Sequence, residues 1–126
     1  MLPFEIKLQP GKPAYEQVTF AAKRAMASGQ LAPGDPFPSL RAISKELKIN
    51  PNTVQKVVSQ LKAEGLLVVV PGVGTVVSEA VAADPTHALA TLRPTAEGLA
   101  VEARQLSLTR QQLLDLVAKE FDNLTH

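Results

Sequence analysis

The chain has 126 residues, enough for one modest domain with a single core plus an appendage, and too few for two large domains. It has no cysteine, which excludes a disulfide framework and a Cys-ligated zinc site and agrees with an intracellular location. Its net charge of +1 hides a split, because residues 1–78 hold nine Lys/Arg against five Asp/Glu while 79–126 hold four against seven. That split suits a first part that faces a polyanion and a second part that does something else.

The start, Met1-Leu2-Pro3-Phe4-Glu5-Ile6-Lys7, carries an acidic residue and no long apolar core, so it is not read as a signal peptide. The longest strongly apolar run, 66–70, is too short to cross a bilayer, and a soluble, cytoplasmic protein is expected. Pro13 begins the first clear helix, in which Tyr15, Val18, Ala22, Ala25 and Met26 recur at helical spacing until Ser28-Gly29. Tyr15 could reach a phosphate through its hydroxyl, but an aromatic on the core side of a helix is more often packing. Residues 31–38 contain three prolines and a glycine, so they form an ordered turn and no helix. Ser39 then caps a helix with Leu40, Ile43 and Leu47 on its apolar side and Arg41, Lys45 and Lys48 on polar positions.

A short connection leads to Asn50-Pro51-Asn52-Thr53-Val54. Asn50 can cap a helix with its side-chain oxygen, and Pro51 suits the first helical position, where its missing N–H would have no partner. Val54, Val57, Val58 and Leu61 form the buried stripe, and Gly65 ends the helix. The opposite side carries Asn52, Thr53, Gln55, Lys56 and Ser59, hydrogen-bonding and basic groups near a helix N-terminus, where base edges are read. Two helices so arranged resemble a helix-turn-helix, the second of them a DNA-recognition helix. The runs 66–70 and 75–77 around the turn 71–74 then form a β-hairpin, or wing. Its Gly72 and Gly74 would let the tip approach a DNA backbone closely.

These residues together carry a family resemblance. Pro13-Ala14-Tyr15-Glu16-Gln17, Gly29, Pro33-Gly34-Asp35, Pro38-Ser39-Leu40-Arg41, Asn50-Pro51-Asn52-Thr53-Val54, Leu61, Glu64-Gly65-Leu66 and Gly72-Val73-Gly74-Thr75-Val76-Val77 resemble the winged helix-turn-helix domain of GntR-type transcription regulators. The match covers roughly residues 10–78, and the form of the turn and the short tail are similar to the YtrA-like subfamily. The resemblance implies DNA contacts by Ser39 and Arg41 from the second helix, by Asn52, Thr53, Gln55 and Lys56 from the third, and by Gly72, Gly74 and Thr75 of the wing. It also implies a repressor, and a twofold dimer of it would bind an inverted-repeat operator. The wing departs from the pattern: Val70, Pro71 and Val73 stand where relatives commonly carry Arg or Lys. An uncharged wing is left with backbone contacts to phosphate, or else marks a protein contact.

From Ser78 the composition turns to Ala, Leu and acidic residues, with 78–85 as a junction. Leu89, Leu92, Ala96, Leu99, Ala103 and Leu106 recur at helical spacing in a helix that bends or breaks at Pro94. Thr109 with Gln112 forms a capping box that starts a last helix carrying Leu113, Leu114, Leu116, Val117 and Phe121. Two short helices enclose little volume, so their leucines need another surface, either their own winged domain or a second copy. The GntR resemblance favours a twofold dimer using Leu99, Leu106, Leu113, Leu116, Val117 and Phe121. A small-molecule effector of unknown identity would have to sit in the groove between the tail helices or at the dimer interface.

An enzyme is the competing class, but His87 and His126 are the only histidines and no acid–base or nucleophile pair is evident, so no catalytic residue, metal or cofactor is expected. The expected architecture is mainly α with a small β-hairpin. It comprises a winged helix-turn-helix DNA-binding domain over 1–78 and a short C-terminal helical hairpin, the dimerisation tail, over 79–126. The alternative is a winged-helix protein-interaction module without specific DNA binding.

Overall fold

The computed structural model describes residues 2–79 and 84–124. Two compact units divide the chain, Met1–Ala80 and Val81–Thr125. Among the described residues no helix is long and apolar enough to cross a membrane.

The first unit is built from α1 (Ala14–Ser28), α2 (Leu40–Leu47), α3 (Pro51–Ala63), and the antiparallel strands β1 (Leu67–Val70) and β2 (Gly74–Val77). The caps act where the local chemistry requires them. Ser39 Oγ accepts from the Ala42 N–H, Asn50 Oδ1 accepts from the Asn52 N–H with Pro51 next in line, and Gly29 closes α1 with a φ of 87°. Between α2 and α3 the chain reverses through Lys48, which holds a left-handed φ of 55°. Ser44 Oγ donates to the Ile49 carbonyl across this turn. Val18, Ala22 and Ala25 of α1, Ile43 of α2 and Val54, Val57, Val58 and Leu61 of α3 are buried together, with Leu67 and Val77 from the strands.

The hairpin differs slightly from the expected one. Gly74 lies within β2, paired with Val70, so three residues connect the strands where four were expected. The Val73 N–H donates to the Val70 carbonyl at 3.0 Å with Gly72 at a φ of 78°, the signature of a type II turn with proline first and glycine second. The proline-rich turn also does more than reverse the chain. Gly34 and Phe37 donate backbone N–H bonds to Val77 and Thr75, and Val77 donates to Asp35, so residues 34–37 run along the free edge of β2. An edge strand left open invites pairing with other chains, and this segment covers it.

The N-terminal residues also join the core. Phe4 is 3% exposed and its ring stacks on Phe37 with centroids 6.1 Å apart, while Leu2, Ile6 and Leu8 are partly buried beside it. Gln17 of α1 fastens this segment by accepting from the Gln9 N–H and donating to the Gln9 and Lys12 carbonyls.

The second unit contains α4 (Pro85–Gln105) and α5 (Arg110–Asn123). Asp84 caps α4, and the chain stays helical through Pro94, which therefore does not break it. Of the junction expected over 78–85, residues 80–83 lie outside the described residues, and Pro85 belongs to α4. Thr109 and Gln112 form the expected capping box at the start of α5. The apolar spacing of α4 does not make a core: Ala103 is buried, whereas Leu89, Leu92, Leu99 and Leu106 are exposed.

Candidate nucleic-acid interface

The buried stripe of α3 fixes which side of it meets solvent. At about 100° per residue, Val54, Val57, Val58 and Leu61 occupy one half of the helix and turn Asn52, Gln55, Lys56, Ser59 and Lys62 outward. Thr53 is half-buried at the margin of that face. Gln55 Nε2 and Ser59 Oγ lie 3.4 Å apart, a weak contact that leaves both groups available to a partner.

Two clefts flank this face. On the α1 side, Tyr15 stands beside Thr53, Gln55, Lys56, Ser59 and Gln60 around a space of about 760 Å³. Tyr15 is half-buried and also packs on the core, so its ring serves as scaffold while its edge borders the polar face. On the wing side, Ser39 at the start of α2, Gln55 and Lys62 of α3, and Val73, Gly74 and Thr75 of the wing enclose about 390 Å³.

Four of the expected contact residues, Ser39, Gln55, Gly74 and Thr75, thus come together in one cleft, and Thr53 and Lys56 join Gln55 in the other. Asn52 and Arg41 are exposed and line neither, as is Gly72 at the wing tip. A Cβ at Gly72 or Gly74 would meet nothing within 4 Å, so these glycines serve the backbone turn and the space before them is open. Val68, Val69 and Val73 of the wing are exposed while Leu67, Val76 and Val77 pack inward. Lys62 was not expected in the site. Its spacing of seven from Gln55 was the signal that could have placed it on the same side of α3.

Electrostatics separate the two margins. Glu64 at the end of α3 accepts from Lys23 Nζ at 2.7 Å and from Gln60 Nε2 at 2.9 Å. The Lys23 hydrogen bond, then that of Gln60, holds its carboxyl below the usual carboxylate range. That acidic group is therefore matched on the α1 side. No cluster of three or more His, Cys, Asp or Glu side chains able to hold a metal lies among the described residues.

In the tail, the residues expected at a dimer interface are exposed at Leu99, Leu106, Leu116, Val117 and Phe121 and half-buried at Leu113. Leu106 and Phe121 are 67% and 70% exposed, values that leave large apolar surface uncovered in the single chain.

Residues 14–77 match the family model described as bacterial regulatory proteins, gntR family. The chain is 28% identical over 109 residues to the uncharacterized HTH-type transcriptional regulator YhcF of Bacillus subtilis, covering 86% of this chain and 90% of that protein. It is 36% identical over 75 residues to the HTH-type transcriptional repressor YtrA of the same organism, covering 60% and 58%. Among solved structures, a transcriptional antiterminator from Listeria monocytogenes EGD-e superposes with a TM-score of 0.81 at 24% identity, over 96% of this chain and 91% of that one. The DNA-binding domain of AraR in complex with operator ORX1 gives a TM-score of 0.52 at 25% identity, over 59% and 95%.

Proposed function

The chain belongs to the gntR family of bacterial regulatory proteins, and from that premise we propose that it is a sequence-specific DNA-binding transcription regulator that acts as YtrA-like repressors do. The observation that carries this is the outward polar face of α3, flanked by the start of α2 and the wing in one continuous surface. With α3 in the major groove, Asn52, Thr53, Gln55 and Lys56 face base edges. Ser39 and Arg41 then meet the backbone on one side, and Gly72, Gly74 and Thr75 approach it from the wing. The operator complex of the similar AraR domain supports duplex DNA as the partner class.

The protein acts as a homodimer through its tail, because the exposed Leu99, Leu106, Leu116, Val117 and Phe121 need a covering surface and a second copy supplies a self-complementary one. Its operator is then an inverted repeat with half-sites about 34 Å apart, or a multiple of that. A small-molecule effector has a groove available near the elbow of α4 and α5, bordered by Arg104, Arg110 and Leu113.

Footprinting on the DNA flanking its own gene tests the reading, with a protected inverted repeat as the expected result. Sedimentation of a chain lacking residues 109–126 tests the dimer: it should run as a monomer, and a persisting dimer would place the interface outside α5. The exposed, uncharged wing favours one second reading, a protein-interaction module. Affinity for duplex DNA that does not fall with added salt would select it.

A further inference from the structure

Lys62 carries no role in the site as drawn from the sequence, yet among the described residues it is the one charged side chain lining the cleft between α3 and the wing. Ser39, Gln55, Gly74 and Thr75 line the same cleft, so its lysine shares a surface with four of the residues assigned to DNA. Among the described residues its ammonium makes no ion pair or side-chain hydrogen bond, in contrast to Lys23, which is committed to Glu64. Glu64 lies on the other margin of α3, and among the described residues no carboxylate lines the Lys62 cleft.

The wing across this cleft carries no charge at its tip, Val70-Pro71-Gly72-Val73-Gly74, and so has none to draw it to DNA. A phosphate near Val73 and Thr75 would therefore find its cation on α3. Lys62 lies two turns beyond Gln55, about 10 Å farther along the helix axis, on the same side. The first turns of a recognition helix reach base edges, and its later turns come against the groove wall. A lysine is a compact charge on a long flexible stem, suited to a phosphate more than to the planar edge of a base.

We propose that Lys62 is a DNA-phosphate contact that supplies, from the last turns of α3, the positive charge the wing lacks. This rests on reading the chain as a DNA-binding protein. The alternative is a solvated lysine that only favours the helix C-terminus electrostatically.

The test uses the full chain and mixed-sequence duplex DNA, titrated at several salt concentrations, comparing the original protein with Lys62→Gln. Glutamine keeps the helix preference and the position is exposed, so the fold is not at risk. Each Lys62 that leaves a phosphate should flatten the slope of log affinity against log salt by about 0.9, which shrinks the affinity ratio between about 50 and 200 mM salt roughly 3.5-fold. Adding Val73→Lys to the Gln variant returns a cation to the cleft from the wing and should restore the slope. An unchanged slope in Lys62→Gln overturns the assignment. A Val73→Lys variant that restores nothing overturns the claim that Lys62 stands in for the wing. If the original chain binds no duplex DNA, the DNA-binding reading itself falls, a result distinct from either.

Discussion

Ser39 is assigned two tasks, and they can be separated. Its Oγ accepts from the Ala42 N–H at 3.0 Å, capping α2, and it borders the cleft proposed to meet DNA. Replacing it with Ala removes the cap at a cost of about 1 kcal/mol of stability, and any loss of DNA binding would then mix folding with contact. Ser39→Asp keeps the cap, since Asp ranks with Ser at this position, and its charge at the helix N-terminus contributes about 0.3–1 kcal/mol in favour. Toward DNA the same charge acts with the opposite sign. A carboxylate about 6 Å from a phosphate across water is repelled by roughly 0.7 kcal/mol, about threefold in affinity, and about tenfold if both half-sites of a dimer are engaged. Urea denaturation and a low-salt DNA titration on one protein preparation measure both. The expected outcome is an Asp variant at least as stable as the original that binds several-fold more weakly, the deficit fading as salt is added. Unchanged binding at low salt would remove the start of α2 from the DNA surface. Loss of more than about 1 kcal/mol of stability would refute the cap.

Thr53→Ala and Gln55→Ala should each weaken operator binding by roughly 1–3 kcal/mol while leaving mixed-sequence DNA nearly unaffected, and equal losses on both would move those residues from base readout to the backbone. Arg41→Ala should weaken binding to all sequences and lower the salt slope by about one counterion, and an unchanged slope would take Arg41 off the phosphates. Glu64, whose carboxyl titrates below its ordinary range in the fold, stabilises fully above that ordinary range, and the stability is lost as pH falls through the lowered folded value. Glu64→Gln should cost under about 1 kcal/mol at neutral pH, because both partners are partly solvated, and the difference from the original should vanish in acid.

The winged unit was legible because its signals are local. Asn50 before Pro51, Ser39 before Leu40 and Gly29 after Ser28 each satisfy an orphan backbone group of a helix end, and Pro51 has no N–H to leave unpaired, so the helices start and stop where those residues stand. What escaped is non-local. The edge pairing of 34–37 with β2 depends on backbone groups that meet only once α1 and the hairpin are in place. Phe4 stacks on Phe37 thirty-three positions away, and the alternation Leu2, Phe4, Ile6, Leu8 was the one hint that an extended segment packs one face inward. Lys62 was overlooked for a related reason: its meaning depends on the wing folding beside α3, and spacing along one helix does not contain that.

The tail obeys different physics, because its helical periodicity is sound while its burial is not. Pro94 and Gly98 sit inside α4, where they cost about 3 and about 1 kcal/mol relative to alanine, and α5 buries no residue at all. At 14 residues α5 is of a length that is marginal in water without a packed face, and α4, though longer, carries the two breakers. Burying a leucine fully is worth about 1.5–3 kcal/mol, so covering two or three of Leu99, Leu106, Leu116 and Phe121 in a second copy offsets both residues. If chains pair through the tail as proposed, helix formation there and pairing are a single equilibrium that depends on concentration. Diluting the full chain until sedimentation reports a monomer should therefore lower its helical circular dichroism, and Pro94→Ala should keep the helical signal to greater dilution. Helical content that survives unchanged in the monomer would mean that α4 is stable alone, and that its exposed leucines answer to something other than folding.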